Sequence, residues 1–268
     1  LVYLINYNEW SYRQLNSAIH VGMDHYYKYK RGTGTININL RSSAFTNDFD
    51  YSAASLTSIN KNNLGKIDIN TRVFAQIGFG SKIPLESMLY VAGANNEDLM
   101  DNKYTRSMGI IPPNWGGFGN VTNHFNAGGG LGLRGYSGYL LAQNNADGTQ
   151  SYNYKGLSGA SFNTEIEFGK LFSKLNPKFL KNTIRLNPYL FADAGIINTN
   201  LPGKANVMSD VMADAGAGIT LSIQRWGPLY NIKPLTFRFD APIFINRLPY
   251  AENDYLQFRW VVGINKAF

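Results

Sequence analysis

Two stretches of the chain have spacings that chemistry could use, and both fail on context. Gly130-x-Gly132-x-x-Gly135 has the glycine spacing of a dinucleotide-binding turn. Such a turn needs a strand before it and a helix after it, so that the helix N-terminus can receive the pyrophosphate. Here a polar stretch precedes the glycines and Tyr136-Ser137-Gly138-Tyr139 follows them, so the match is rejected. Tyr136-Ser137-Gly138 also lacks the Gly-x-Ser-x-Gly spacing of a nucleophile elbow. The three histidines are His20, His25 and His124, and no His-Glu-x-x-His occurs. His20 and His25 are five apart in an alternating segment, so they face opposite sides and make a poor zinc pair. With no cysteine there is no disulfide or thiolate site. No carboxylate pair stands out for acid–base work. The reading is a chain with no catalytic residues, no metal site and no cofactor.

The composition is not that of an ordinary soluble domain. Only 16% of residues are charged, against the usual share of about 25%. Aromatic residues reach 14%, and glycine is frequent at 27. The mean hydropathy of -0.23 is that of a soluble protein. A membrane barrel also shows such a value, because only alternate strand residues face lipid. No run reaches the roughly 18 apolar residues of a membrane-spanning helix. The net charge is +7, but the basic residues are scattered rather than gathered on one face, which argues against nucleic acid. The chain opens on Leu1 without an initiator methionine or signal peptide, and is expected to be a processed product or a fragment.

Period-two alternation dominates. Phe258, Trp260, Val262, Ile264 and Phe268 share one face of the last segment, opposite Gln257, Arg259, Gly263, Asn265 and Ala267. Leu235, Phe237, Phe239 and Ala241 oppose Thr236, Arg238 and Asp240. Ile36, Ile38 and Leu40 oppose Thr35, Asn37, Asn39 and Arg41. In a soluble sandwich the polar face would meet water and be rich in Lys and Glu. Here it carries Gly, Ser, Thr, Asn and isolated charges, which suits a barrel interior. The spacing predicts ten strands near 2–12, 16–29, 33–45, 50–61, 65–80, 152–169, 186–198, 208–225, 235–245 and 255–268. Lys30-Arg31-Gly32 and Lys61-Asn62-Asn63 read as short turns, and a long connection spans about 82–151. The predicted fold is all-β: one domain, 1–268, forming a transmembrane antiparallel β-barrel whose long loop folds inward.

Leu133-Arg134-Gly135-Tyr136 resembles the Val/Leu-Arg-Gly-Phe/Tyr loop of the outer-membrane insertases and two-partner secretion transporters, the bacterial surface antigen superfamily. Three further matches follow in order. Ala160-Ser161-Phe162-Asn163-Thr164-Glu165-Ile166-Glu167-Phe168 is similar to the next strand, with its inward Glu. Phe191-Ala192-Asp193-Ala194-Gly195 is similar to the Phe-x-Asp-x-Gly strand, and Leu235 to Ile243 to the penultimate strand. The aromatic last strand, ending at Phe268, looks like the assembly signal of such barrels. The resemblance covers roughly 125–268. Within the superfamily, His124 to Tyr139 and Tyr154 to Ala160 are similar to barrels fused behind gluzincin-type zinc aminopeptidase-like domains in Bacteroidetes-like bacteria.

The resemblance implies that the loop folds into the barrel and that Arg134 pairs with Asp193 and with Glu165 or Glu167. Both Glu residues share a face, so the sequence does not choose between them. A buried Arg needs such partners, and its planar fork suits a carboxylate. Five strands follow the loop, as in a sixteen-stranded barrel of the superfamily, and only five precede it. Six strands are therefore expected upstream, and strand 2–12 is not expected to close onto the last strand. The implied location is the bacterial outer membrane, with the lipid bilayer as partner. The implied role is to anchor or export an attached upstream domain. An insertase for other envelope proteins, a passive porin-like channel and a soluble β-sandwich are the rivals.

Overall fold

The computed structural model describes residues 10–11, 13–102, 105–106, 124–137, 142–144, 150–152, 155–172, 183–199, 207–224, 235–247, 254–265 and 267–268. The expected strand at 2–12 therefore lies almost wholly outside the described residues. The protein is all-β. Its strands are β1 (Ala18–Tyr29), β2 (Gly32–Ser43), β3 (Asp50–Leu64), β4 (Ile67–Lys82), β5 (Leu89–Tyr90), β6 (Ala142–Asn144), β7 (Gln150–Tyr152), β8 (Lys155–Gly156), β9 (Ser158–Glu167), β10 (Ile184–Thr199), β11 (Val207–Met208), β12 (Met212–Ile223), β13 (Leu235–Ile245) and β14 (Val261–Ile264). One short helix, α1 (Asn96–Asp101), is closed by a capping box between Asn95 and Asp98.

Ten strands form one sheet in the order β1-β2-β3-β4-β9-β10-β12-β13-β14, with β11 added to β10. Every neighbouring pair in it is antiparallel. Among the described residues the sheet does not close: β1 and β14 are its two ends. The path holds nine strands, so β1 and β14 run in the same direction, and antiparallel closure directly between them is impossible.

The alternation read from the sequence is carried by these strands with small shifts. The β3–β4 ladder runs on through Asn62, Asn63 and Leu64, where a turn was expected, and reverses at Gly65-Lys66. Gly65 supplies the positive φ of 78° that so tight a reversal needs. The strand expected from 152 begins at Ser158, because Lys155–Gly156 leaves the main sheet to pair with Leu89–Tyr90. The last strand, expected at 255–268, spans only Val261–Ile264 and so falls short at both ends. It ends at Ile264, and Asn265 takes a φ of 71°, which ends the extended backbone.

Burial along the strands is inverted relative to a soluble sheet. Asn70, Arg72, Asn163, Glu165, Glu167, Asp193, Asp214, Arg238 and Asp240 are buried. Their apolar neighbours face out: Val73, Ile77, Phe162, Leu190, Phe237 and Phe239 are each 43–51% exposed. The apolar core is built by the long connection instead. Leu89, Val91, Leu131, Leu133 and Tyr136 from that connection pack on Phe74, Ile197, Met212 and Ile245 of the inner face. The loop touches β4 through Arg72 and the region of β14 through Val262. The sheet thus wraps around it.

Candidate functional site

The inner face of β10 prepares a seat for one guanidinium group. Phe191, Asp193 and Gly195 are two apart, so all three point inward. Arg134 stands in a short 3₁₀ turn of Arg134–Tyr136 and is 1% exposed. Its guanidinium carbon lies 4.0 Å from the centre of the Phe191 ring. Its Nε donates to Asp193 Oδ2 at 2.8 Å and its Nη2 to Asp193 Oδ1 at 3.0 Å, a two-pronged contact. Nη1 donates to Glu165 Oε1 at 2.6 Å, and the Arg134 main-chain N–H also reaches Asp193 Oδ2 at 3.3 Å. Leu133 fits beside Gly195: a Cβ there would stand 3.0 Å from Leu133 Cδ1. The Phe-x-Asp-x-Gly spacing therefore supplies ring, carboxylate and gap in one row.

Of the two candidate glutamates, the structure brings Glu165 to Arg134. Glu167 instead accepts from Asn70 Nδ2 at 2.8 Å. Gly135 crosses directly over Asp214, and a Cβ at 135 would stand 2.6 Å from the Asp214 Cβ. Tyr136 is buried and donates to Asn246 Oδ1 at 2.7 Å. In the last segment Phe258 is fully exposed and Trp260 partly so, while Arg259 and Gly263 are inward. Val261, also inward, is buried. Val262 and Ile264 are half-buried because they pack against Ala94, Leu99, Phe125 and Ala127 of the connection. Phe268 is half-buried and lies off the strand.

Several contributors escape sequence reasoning. Asp240 Oδ1 lies 3.9 Å from Arg134 Nη1, accepts from Tyr189 Oη, and sits 3.0 Å from Arg238 Nε through its other oxygen. Asn163 donates to Asp193 Oδ1 at 3.1 Å and to the carbonyls of Leu131 and Gly132 at 3.2 Å. Three wall arginines also hold the loop by its main chain. Arg72 donates to the Gly130 and Leu131 carbonyls at 2.6 and 3.3 Å. Arg238 donates to the Asn126 carbonyl at 3.2 Å and to its side-chain oxygen at 2.6 Å. Arg259 donates to the Gly135 and Ser137 carbonyls. The one available signal was isolated arginines on strand faces otherwise made of small polar residues.

Chemically the arrangement is a clasp. Arg134 is engaged with Asp193 and Glu165, Arg238 lies against Asp240, and Arg72, Arg238 and Arg259 hold loop carbonyls, so the clasp fixes the loop to β9, β10 and β13 at once. No family model matches the chain, and no curated protein matches it significantly.

Proposed function

We propose that this chain is the β-barrel domain, 1–268, of a bacterial outer-membrane protein of the insertase and transporter superfamily. In this reading it is the C-terminal part of a barrel of about sixteen strands, and it anchors or helps export a domain attached upstream. The observation that carries the reading is the contact of Arg134 with Asp193 and Glu165 on the inner face. The inverted burial supports it. Side chains such as Phe162, Leu190 and Phe239 stand in the position of a lipid-facing band, while the charges lie inside. A charge at the bilayer midplane costs about 2–4 kcal/mol, so in lipid this alternation is favoured. The strands β1 to β4, β10 and β12, of 12–16 residues, are long enough, since a tilted crossing takes about 9–11.

A second reading, an insertase for other proteins, is favoured by one feature: among the described residues the outer edge of β14 is met by the bridge of Phe125 to Val262 and by no ladder strand. Two measurements test the proposal. The protein refolded into lipid vesicles should migrate faster unboiled than boiled, as folded barrels do, and a chain that stays in the aqueous phase unchanged by heat refutes membrane insertion. The coding sequence upstream of Leu1 then separates the roles. A peptidase-like domain supports anchoring, and periplasmic repeats of strands and helices support insertion of other proteins.

A further inference from the structure

The outer edge of β14 is held by the chain itself. Val262 N–H donates to the His124 carbonyl at 2.7 Å, and Asn126 N–H donates to the Val262 carbonyl at 2.8 Å. The bridge between Phe125 and Val262 is parallel. Val262 stands opposite Phe239 of β13, so spending both its main-chain groups on 124–126 makes it a non-hydrogen-bonded position toward β13. The His124 ring stacks on Trp260 at 3.8 Å and 6°, and its Nδ1 lies 2.9 Å from the Trp260 carbonyl. Asn126 is fastened behind the bridge. Its amide donates to the Ala92 carbonyl at 2.5 Å, and its oxygen accepts from Arg238.

We propose that His124–Asn126 guards the edge of β14, withholding its main-chain groups from strand addition, and must leave before β14 takes a second antiparallel neighbour. Three observations support this. An exposed strand edge is a template for pairing with another strand, and folded proteins cover such edges. The covering segment is parallel in a sheet whose other neighbours are all antiparallel, and among the described residues it bridges β14 at a single residue. The N–H and C=O of Val262 cannot serve the guard and a new strand together.

The guard is also tied to the clasp. The same loop carries His124–Asn126 and, eight residues after Asn126, Arg134. Arg238 grips the Asn126 end, and Arg259, two residues before β14, grips the loop at Gly135 and Ser137. Releasing Arg134 should therefore loosen the guard without touching it. The inference rests on the functional reading: in the closed barrel proposed above, an upstream strand takes this edge, so the guard holds β14 while that seam is open, and mild oxidation traps the guarded state.

The test uses the full-length protein in its membrane, carrying Phe125→Cys and Val262→Cys. These 268 residues contain no cysteine of their own. The expected result is a disulfide on mild oxidation in the double variant, absent from each single variant, with heat-dependent migration retained. Adding Arg134→Ala should reduce the cross-link several-fold. A protein that keeps heat-dependent migration but forms no 125–262 cross-link overturns the guard and leaves the barrel reading intact. Where the cysteines disturb folding, amide exchange at Val262 reads the same contact. Protection lost in Asn126→Pro, which removes the N–H donated to Val262, supports the guard. Protection unchanged by Asn126→Pro overturns it.

Discussion

The guanidinium carbon of Arg134 lies 4.0 Å from the centre of the Phe191 ring, and the group is gripped by a carboxylate two residues further along the same strand. The ring covers one face of the cation while Asp193 and Glu165 take its edges. One face and the hydrogen-bonding edges of the charge are thereby occupied, which makes its burial tolerable.

This arrangement predicts strong coupling between Arg134 and Asp193. Removing one partner of a buried pair typically costs about 3–5 kcal/mol, because the other charge is left uncompensated. Arg134→Ala and Asp193→Ala should each weaken the folded state on that scale, and the double variant should cost much less than their sum. Arg134→Lys should rescue poorly, since an ammonium cannot make the two-pronged contact. Denaturant titration of the heat-dependent migration measures all four proteins. Strict additivity means that the two side chains do not meet.

The two glutamates should separate cleanly. Glu165→Gln keeps an acceptor for Arg134 but removes one of the carboxylate charges that compensate the buried guanidinium, and should be clearly destabilising. Glu167→Gln keeps a neutral acceptor for Asn70 and should leave Arg134 undisturbed. The same titration decides between them, and equal costs at the two positions count against the assignment.

Gly135→Ala should be destabilising because its new methyl meets the Asp214 Cβ at 2.6 Å. Forcing an extra carbon into a packed site costs about 1–3 kcal/mol. Asp214→Gly removes the opposing carbon and should restore stability to the double variant, whereas Asp214→Ala keeps the carbon and should not. Rescue by Asp214→Ala as good as by Asp214→Gly shows that the main-chain crossing is not where the structure puts it.

The inverted burial predicts a labelling pattern. Single cysteines at Phe162, Phe239 and Phe258 should react with a lipid-phase reagent, and cysteines at Asn163 and Arg259 should be spared. A label on 163 or 259 with 162 and 258 untouched reverses the inside and outside of the sheet.

Much of this was legible in the residues themselves. Alternation alone located the large strands within a few residues and sorted Arg259 from Phe258, because neighbouring side chains of an extended chain must point to opposite faces. It also put Phe191, Asp193 and Gly195 in one row. Period two could not choose Glu165 over Glu167, since both lie on the same face. Tertiary register chose. Glu165 is paired with Phe191, the residue under the guanidinium, while Glu167 is paired with Tyr189, about 6.6 Å further along the strand. Nor could the sequence show what Arg72, Arg238 and Arg259 hold. Their acceptors are main-chain carbonyls, which every residue carries, so no side-chain pattern marks the ones that are used. The same holds for the edge of β14. Which N–H and C=O groups are covered there depends on where the folded loop brings residues 124–126, and only the tertiary structure decides that.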